Sequence, residues 1–177
     1  MDDSILVKNC IDGSQKAQRM LFEKFAPKML GVCLRYAKNT EQAEDVLQDA
    51  FVKVFTKLEM FNGGSLEGWI RRIMVNTSLD QIRKEKKFQD NVSMDIVDFK
   101  VEKNSYILEN IHAEELLKLI NEIPIGYRTV FNMFAIEGYS HKEIAKELGV
   151  SENTSKSQYS RAKAHLQTKM KELGIER

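Results

Sequence analysis

The sequence predicts an all-α protein of two helical domains joined by a flexible linker, on three observations. Only two of its 177 residues are Pro, so little interrupts a helix. Apolar residues recur at steps of three and four through most of the chain, the spacing of one buried helix face. From about Phe88 to Asn110 that periodicity lapses and acids predominate, which separates two periodic stretches. The expected division is residues 1–88, a linker over 89–110, and residues 111–177.

The elements follow in order. A short helix fits residues 5–11. Gln18 to Ala37 carries Leu21, Phe25, Met29, Val32, Cys33 and Tyr36 on one face. After Asn39-Thr40, either of which can cap, a second helix reads Ala43, Val46, Leu47, Ala50, Phe51, Val54, Phe55 and Leu58 inward. Its other face carries Glu44, Asp45, Gln48, Asp49 and Lys53. Asn62-Gly63-Gly64 is expected to end that helix in a loop. Ser65 then caps a third helix, which buries Trp69, Ile70, Ile73, Met74 and Ile82. Past the linker, Leu116 to Ile123 makes a helix stopped at Pro124, and Tyr127, Val130, Phe131 and Phe134 make another that ends at Gly138. Ser140-His141-Lys142-Glu143 fits a capping box, and the helix it opens stops at Gly149. Ser151 caps the last helix, with Tyr159, Ala162, Leu166 and Met170 inward.

Composition narrows the class. With 42% hydrophobic and 30% charged residues the chain reads as globular rather than disordered or fibrous. No apolar run approaches the ~18 residues of a membrane span, and the opening Met1 to Lys8 has no basic head before a long apolar stretch. A cytoplasmic location without membrane insertion is expected. Cys10 and Cys33 form no C-x-x-C pair and read as buried thiols of a reducing compartment. There is no phosphate-binding glycine loop and no H-E-x-x-H, and His112, His141 and His165 are scattered, so neither catalysis nor a metal nor a cofactor is expected.

The net charge of +1 hides strong segregation. Glu41, Glu44, Asp45 and Asp49 form an acidic cluster without a base. Arg71 to Lys87 holds six bases against two acids, Gln89 to Glu115 seven acids against two bases, and Lys142 to Lys171 seven bases against three acids. Cationic patches on two separate helical modules favour a polyanion partner, because clustered Lys and Arg displace condensed counterions from phosphates.

The last two helices, separated only by Gly149-Val150-Ser151, form a helix-turn-helix whose second member can enter the DNA major groove. Its exposed positions read Glu152, Asn153, Thr154, Lys156, Ser157, Gln158, Ser160, Arg161 and Lys163, a surface suited to base edges and phosphates. The Asn62-Gly63-Gly64-Ser65 loop beside a basic helix leaves room and donors for an extruded base.

Ala43-Glu44-Asp45-Val46-Leu47-Gln48-Asp49-Ala50-Phe51 through Phe55, then Phe61-Asn62-Gly63-Gly64-Ser65 through Trp69-Ile70-Arg71-Arg72-Ile73, with Asn76, Asp80 and Arg83, resembles region two of the extracytoplasmic-function (ECF) sigma factors of the sigma-70 family. Ile123-Pro124 through Phe131, and Gly138 through Ser157 with Arg161-Ala162, resembles region four of the same group. The resemblance implies an alternative sigma factor that binds core RNA polymerase and directs promoter-specific initiation. It implies that Asp45, Gln48 and Asp49 bind the beta-prime clamp coiled coil. It assigns Phe61, Asn62, Gly63, Gly64, Ser65, Arg71, Arg72, Asn76 and Arg83 to the minus-ten element, with Trp69, Ile73 and Asp80 structural. Ser151, Thr154, Lys156, Ser157, Gln158, Arg161 and Lys163 fall to the minus-thirty-five element. The beta flap and an anti-sigma factor are further implied partners, and no fused sensing domain is expected after Arg177. The chain departs from the group at Ser155, where an apolar Val is common, and at Gln158, where Arg is frequent; the latter loses a bidentate guanine contact or a phosphate charge. The rival reading is a stand-alone helix-turn-helix regulator that binds duplex DNA without polymerase, which leaves the acidic face unexplained.

Overall fold

The computed structural model describes residues 2–89 and 111–174, and every regular element among them is helical. The chain clusters into two units, Met1–Tyr106 and Ile107–Arg177. The expected linker lies outside the described residues, apart from Gln89.

The first unit holds α1 (Asp3–Ile11), α2 (Gln15–Tyr36), α3 (Thr40–Lys57), a 3₁₀ turn (Leu58–Met60) and α4 (Leu66–Gln89). Side chains cap the starts: Ser14 accepts from the Ala17 amide, and Asn39 rather than Thr40 caps α3 by accepting from Gln42 at 2.8 Å. Helix α2 runs through Pro27, on its exposed side, where the carbonyl left without a donor can turn to water. Helices α2, α3 and α4 pack on one another around Leu21, Met29, Tyr36, Leu58, Leu66, Ile70 and Met74, all under 2% exposed or close to it. Each such side chain contributes about 1.5–3 kcal/mol by leaving water.

The buried face of α4 differs from expectation. Leu66, Ile70, Met74, Val75 and Leu79 are buried, whereas Trp69, Ile73 and Ile82 are only half-buried. Packing against both α2 and α3 widens the inward face. Thr77 and Ser78 fill part of it by donating their hydroxyls to the Ile73 and Met74 carbonyls at 2.8 and 2.9 Å. The apolar period cannot mark such positions.

The second unit holds α5 (Ile111–Glu122), α6 (Ile125–Phe131), α7 (His141–Leu148) and α8 (Glu152–Glu172). Where one helix was expected from Tyr127 to Gly138, α6 widens into a π-helical turn over Asn132–Ile136, closed by the Glu137 amide on the Asn132 carbonyl at 2.9 Å. The extra residue in that turn re-aims Phe134, which lies flat on the His141 ring. Arg128, 5% exposed, donates to the carbonyl and side-chain oxygen of Asn121 and ties α6 to α5. Burial pushes its pKa down to about 10, still far above neutrality, so the guanidinium stays charged. Ser155 and Ala162 of α8 are fully buried, but Met170 is 38% exposed rather than inward. Helix α8 has 21 residues against eight in α7 and seven in α6, so its last turns outrun the helices that cover its first half.

The turn between α7 and α8 matches its sequence signals. Ser140 accepts from the Glu143 amide while Glu143 accepts from the Ser140 amide, completing the capping box. Gly149 adopts the left-handed conformation (φ 66°), and the Val150 amide closes on the Ala145 carbonyl at 3.0 Å. Gly149→Val is therefore expected to cost about 1–2 kcal/mol, read as a lower thermal midpoint for the second unit.

Candidate functional site

Three surfaces are built by these elements. The first is the outer face of α3. Glu41, Asp45 and Asp49 stand at four-residue steps, all exposed, with Gln48 alongside. Like charges at that spacing repel by a few tenths of a kcal/mol per pair, so the row does not serve helix stability. Among the described residues no cation pairs with Asp45 or Asp49. Other acids of the unit are engaged: Glu67 with Lys28 at 3.0 Å, Glu85 with Lys38 at 2.5 Å, and Asp80 with Arg83 at 2.9 Å. A groove of about 410 Å³ between α3 and α4 opens beside the row, lined by Gln42, Asp45, Gln48, Asp49 and Gln81 among others. An unpaired acidic row next to amide-lined space is complementary to a cationic helix or loop.

The second surface is the loop before α4 together with one stripe of that helix. Asn62, Gly63 and Gly64 are exposed, and the two glycines have φ of 93° and 85°, which side chains with a Cβ rarely adopt. The loop backbone is thereby held open. Phe61, half-buried, leans on Trp69 with ring centroids 5.6 Å apart, so Trp69 forms the wall of the loop rather than core. Ser65 caps α4 by accepting from the Gly68 amide at 3.0 Å, which ties the end of the loop to the helix start. At 3.6 residues per turn Trp69, Arg72, Asn76 and Arg83 share one stripe. Arg72, Asn76 and Arg83 are exposed there. Arg71 stands about 100–160° away from its members, half-buried, apart from that group. Asp80 at the stripe's edge accepts from Arg83 at 2.9 Å and from Lys53 of α3 at 3.5 Å.

The third surface is α8. Ser151 caps it by accepting from the Thr154 amide at 3.0 Å, and the two hydroxyls share a bond of 2.8 Å. Ser157 donates to the Thr154 carbonyl at 3.0 Å. Lys156 pairs with Glu152 at 2.9 Å, and this bond holds the Glu152 carboxyl below the usual carboxylate range. Helical phase places Lys156 and Lys163 on one flank and Thr154 and Arg161 on the other, with Ser157 between. A helix in a major groove lies between two phosphate strands, so cations on opposite flanks suit it. Gln158 is half-buried beside the Arg161 flank.

Two features of α8 lie outside what the resemblance assigns. Arg161 donates to the Tyr127 hydroxyl at 3.1 Å and lies 5.7 Å from that ring, a contact across 34 residues that no local pattern announces. Asn153 and Ser160, exposed, occupy the middle of the outward strip, where base edges would lie. Counting outward from the buried Ser155 and Ala162 would have added them to the candidate set.

Residues 21–88 match the family described as Sigma-70 region 2, and residues 113–166 the one described as Sigma-70, region 4. Among curated relatives, the RNA polymerase sigma-H factor of Pseudomonas aeruginosa is 26% identical over 91% of this chain and 90% of that protein. The ECF RNA polymerase sigma-E factor of Escherichia coli K12 is 25% identical over 98% and 96%. Of solved structures, the sigma factor RpoE in complex with the anti-sigma factor NepR from Bartonella quintana covers 90% of this chain and 98% of that one, with TM-score 0.59 and 23% identity. CnrH in complex with the cytosolic domain of CnrY covers 94% and 96%, with TM-score 0.51 and 21% identity. These structural likenesses concern the fold.

Proposed function

The chain belongs to the extracytoplasmic-function group of the sigma-70 family, and from that premise we propose how its three surfaces divide the work of an alternative sigma factor. Such a factor binds core RNA polymerase and directs promoter-specific initiation. Residues 1–88 carry core binding and the minus-ten element, residues 89–110 connect, and residues 111–177 carry the minus-thirty-five element. The acidic row Asp45, Gln48 and Asp49 docks on the beta-prime clamp coiled coil. Phe61 to Ser65 receive an unstacked base, while Arg72, Asn76 and Arg83 hold the strand from which it leaves. Arg71 stands apart from that stripe and is the weakest member of the set. Extrusion costs a few kcal/mol and is easiest at flexible A·T-rich steps.

On α8, Lys156 and Lys163 take one phosphate strand and Arg161 the other, while Ser157 faces base edges, with Ser151 at the helix start and Thr154 and Gln158 toward the Arg161 flank. The beta flap is the second docking point on polymerase. An anti-sigma factor is a further partner, a reading supported by the solved complex of RpoE with the anti-sigma factor NepR. Initiation so described needs no bond made or broken by this chain, and no cofactor. No helix among the described residues is long and apolar enough to cross a membrane, which fits a protein working beside the polymerase in the cytoplasm.

The observation that carries this reading is the unpaired acidic row on the same unit as a cationic, glycine-opened base site. A stand-alone regulator has no use for either. Promoter binding by the purified chain is therefore expected only when core polymerase is added; a specific gel shift of duplex DNA by the chain alone would favour the regulator. Within the complex, neutralising Lys156 or Arg161 is expected to lower the slope of log affinity against log salt by about one each. An unaltered slope would remove that residue from the phosphate-contacting set.

A further inference from the structure

Ser155 sits at the centre of α8's inward face with no exposed surface, between Thr154 and Lys156 of the minus-thirty-five set. A buried hydroxyl must find a partner or cost stability. Its partner is the His141 ring at the start of α7, with Oγ and Nδ1 2.9 Å apart. That ring is itself held: Phe134, delivered by the π-helical turn, stacks on it with centroids 4.2 Å apart and planes 11° from parallel. Tyr159, one turn beyond Ser155, meets the His141 ring edge-on at 5.9 Å and Phe134 at 4.6 Å. Three elements thus converge on one hydrogen bond between the two helices of the helix-turn-helix.

We propose that the His141–Ser155 hydrogen bond is a positioning contact for promoter recognition: it sets the roll of α8 about its own axis and so aims the side chains that read the minus-thirty-five element. Apolar packing is non-directional and tolerates small rolls; a hydrogen bond weakens steeply as its angle departs from linear. Side-chain tips lie about 5–6 Å from a helix axis, so a roll of ~10° moves them by about 1 Å, enough to break a base-edge hydrogen bond. The flat stacking of Phe134 denies His141 the freedom to follow such a roll. Either partner can donate across the Oγ to Nδ1 contact, so the bond does not depend on one tautomer of the neutral ring. Ser155 and His141 act through Thr154, Lys156 and Ser157 and need not touch DNA.

This inference rests on the minus-thirty-five assignment made above. Its test measures transcription by core polymerase carrying full-length wild type, Ser155→Ala, His141→Phe or the double variant. Templates are the best promoter and its single-base minus-thirty-five variants. His141→Phe keeps a ring for Phe134 to stack on and removes the hydrogen-bonding nitrogen. Each single variant is expected to reduce discrimination between promoter and variants by about three- to ten-fold. The double variant should lose no more than either single one, because all three lack the same bond. Equal loss on every template, or losses that multiply in the double variant, would reduce the contact to general packing and overturn the proposal. Failure of the wild type to discriminate at these positions would instead sink the minus-thirty-five assignment, and the proposal with it.

Discussion

Asp49→Lys is expected to abolish association with core RNA polymerase while leaving the helical circular dichroism of the chain intact. Asp49 ends the row that begins at Glu41 and Asp45, is exposed, and has no cation beside it among the described residues. Replacing it by Lys turns a repulsive four-residue pair with Asp45 into an attractive one and sets a like-charge pair with Lys53, so the two effects offset and α3 keeps about the same stability. The interface suffers instead. Removing one member of a desolvated charge pair costs about 2–5 kcal/mol, and reversal adds repulsion, so affinity should fall by upwards of about thirty-fold. Co-purification with tagged core polymerase, beside the spectrum of the free chain, reads both arms. Retained co-purification with an unchanged spectrum would remove the α3 face from the polymerase interface.

Asn62→Ala is expected to flatten base preference at one non-template position of the minus-ten element, leaving preference at the minus-thirty-five element as it was. Asn62 is exposed, at the mouth of a loop whose two following glycines hold the backbone open with positive φ. Its amide can both donate to and accept from the edge of an unstacked base, beside the Phe61–Trp69 wall. A bidentate contact of this kind is worth about 1–3 kcal/mol of discrimination, so the preference should drop by at least about five-fold at that position. Permanganate reactivity of the melted strand and a promoter-variant profile measure the two consequences, slower opening and lost selectivity. An unchanged profile would assign the loop to spacing rather than to base capture.

Much of this is legible in the sequence because the governing physics is local. The capping box at Ser140 and Glu143, the left-handed Gly149 and the Ser151 cap are interactions within four residues, and each stands as its residue type dictates. The apolar face of α3 follows from period alone, and the acidic row is its complement. What escaped depends on contacts between distant segments. The π-helical turn is hidden because Tyr127, Val130, Phe131 and Phe134 also fit an ordinary helix. The buried positions of Thr77 and Ser78 require their hydroxyls to turn back on the helix, which a polarity pattern reads as outward. Ser155 reads as a mere departure from an apolar habit until His141, fourteen residues earlier, is seen to meet it. Arg161 reads as a free cation until Tyr127 is found beside it. Asp80, expected to be structural, proves to bridge Lys53 and Arg83, so the cation read as DNA-facing is partly neutralised in the free chain.

The central claim is that two cationic helical surfaces select a start site only when mounted on polymerase by an acidic helix face. The most direct measurement is transcription by purified core polymerase from a randomised promoter library, with and without the chain. The account predicts that adding it enriches templates sharing two separated elements at a fixed spacing, with starts at a constant distance downstream. The same transcripts with and without the chain would contradict it.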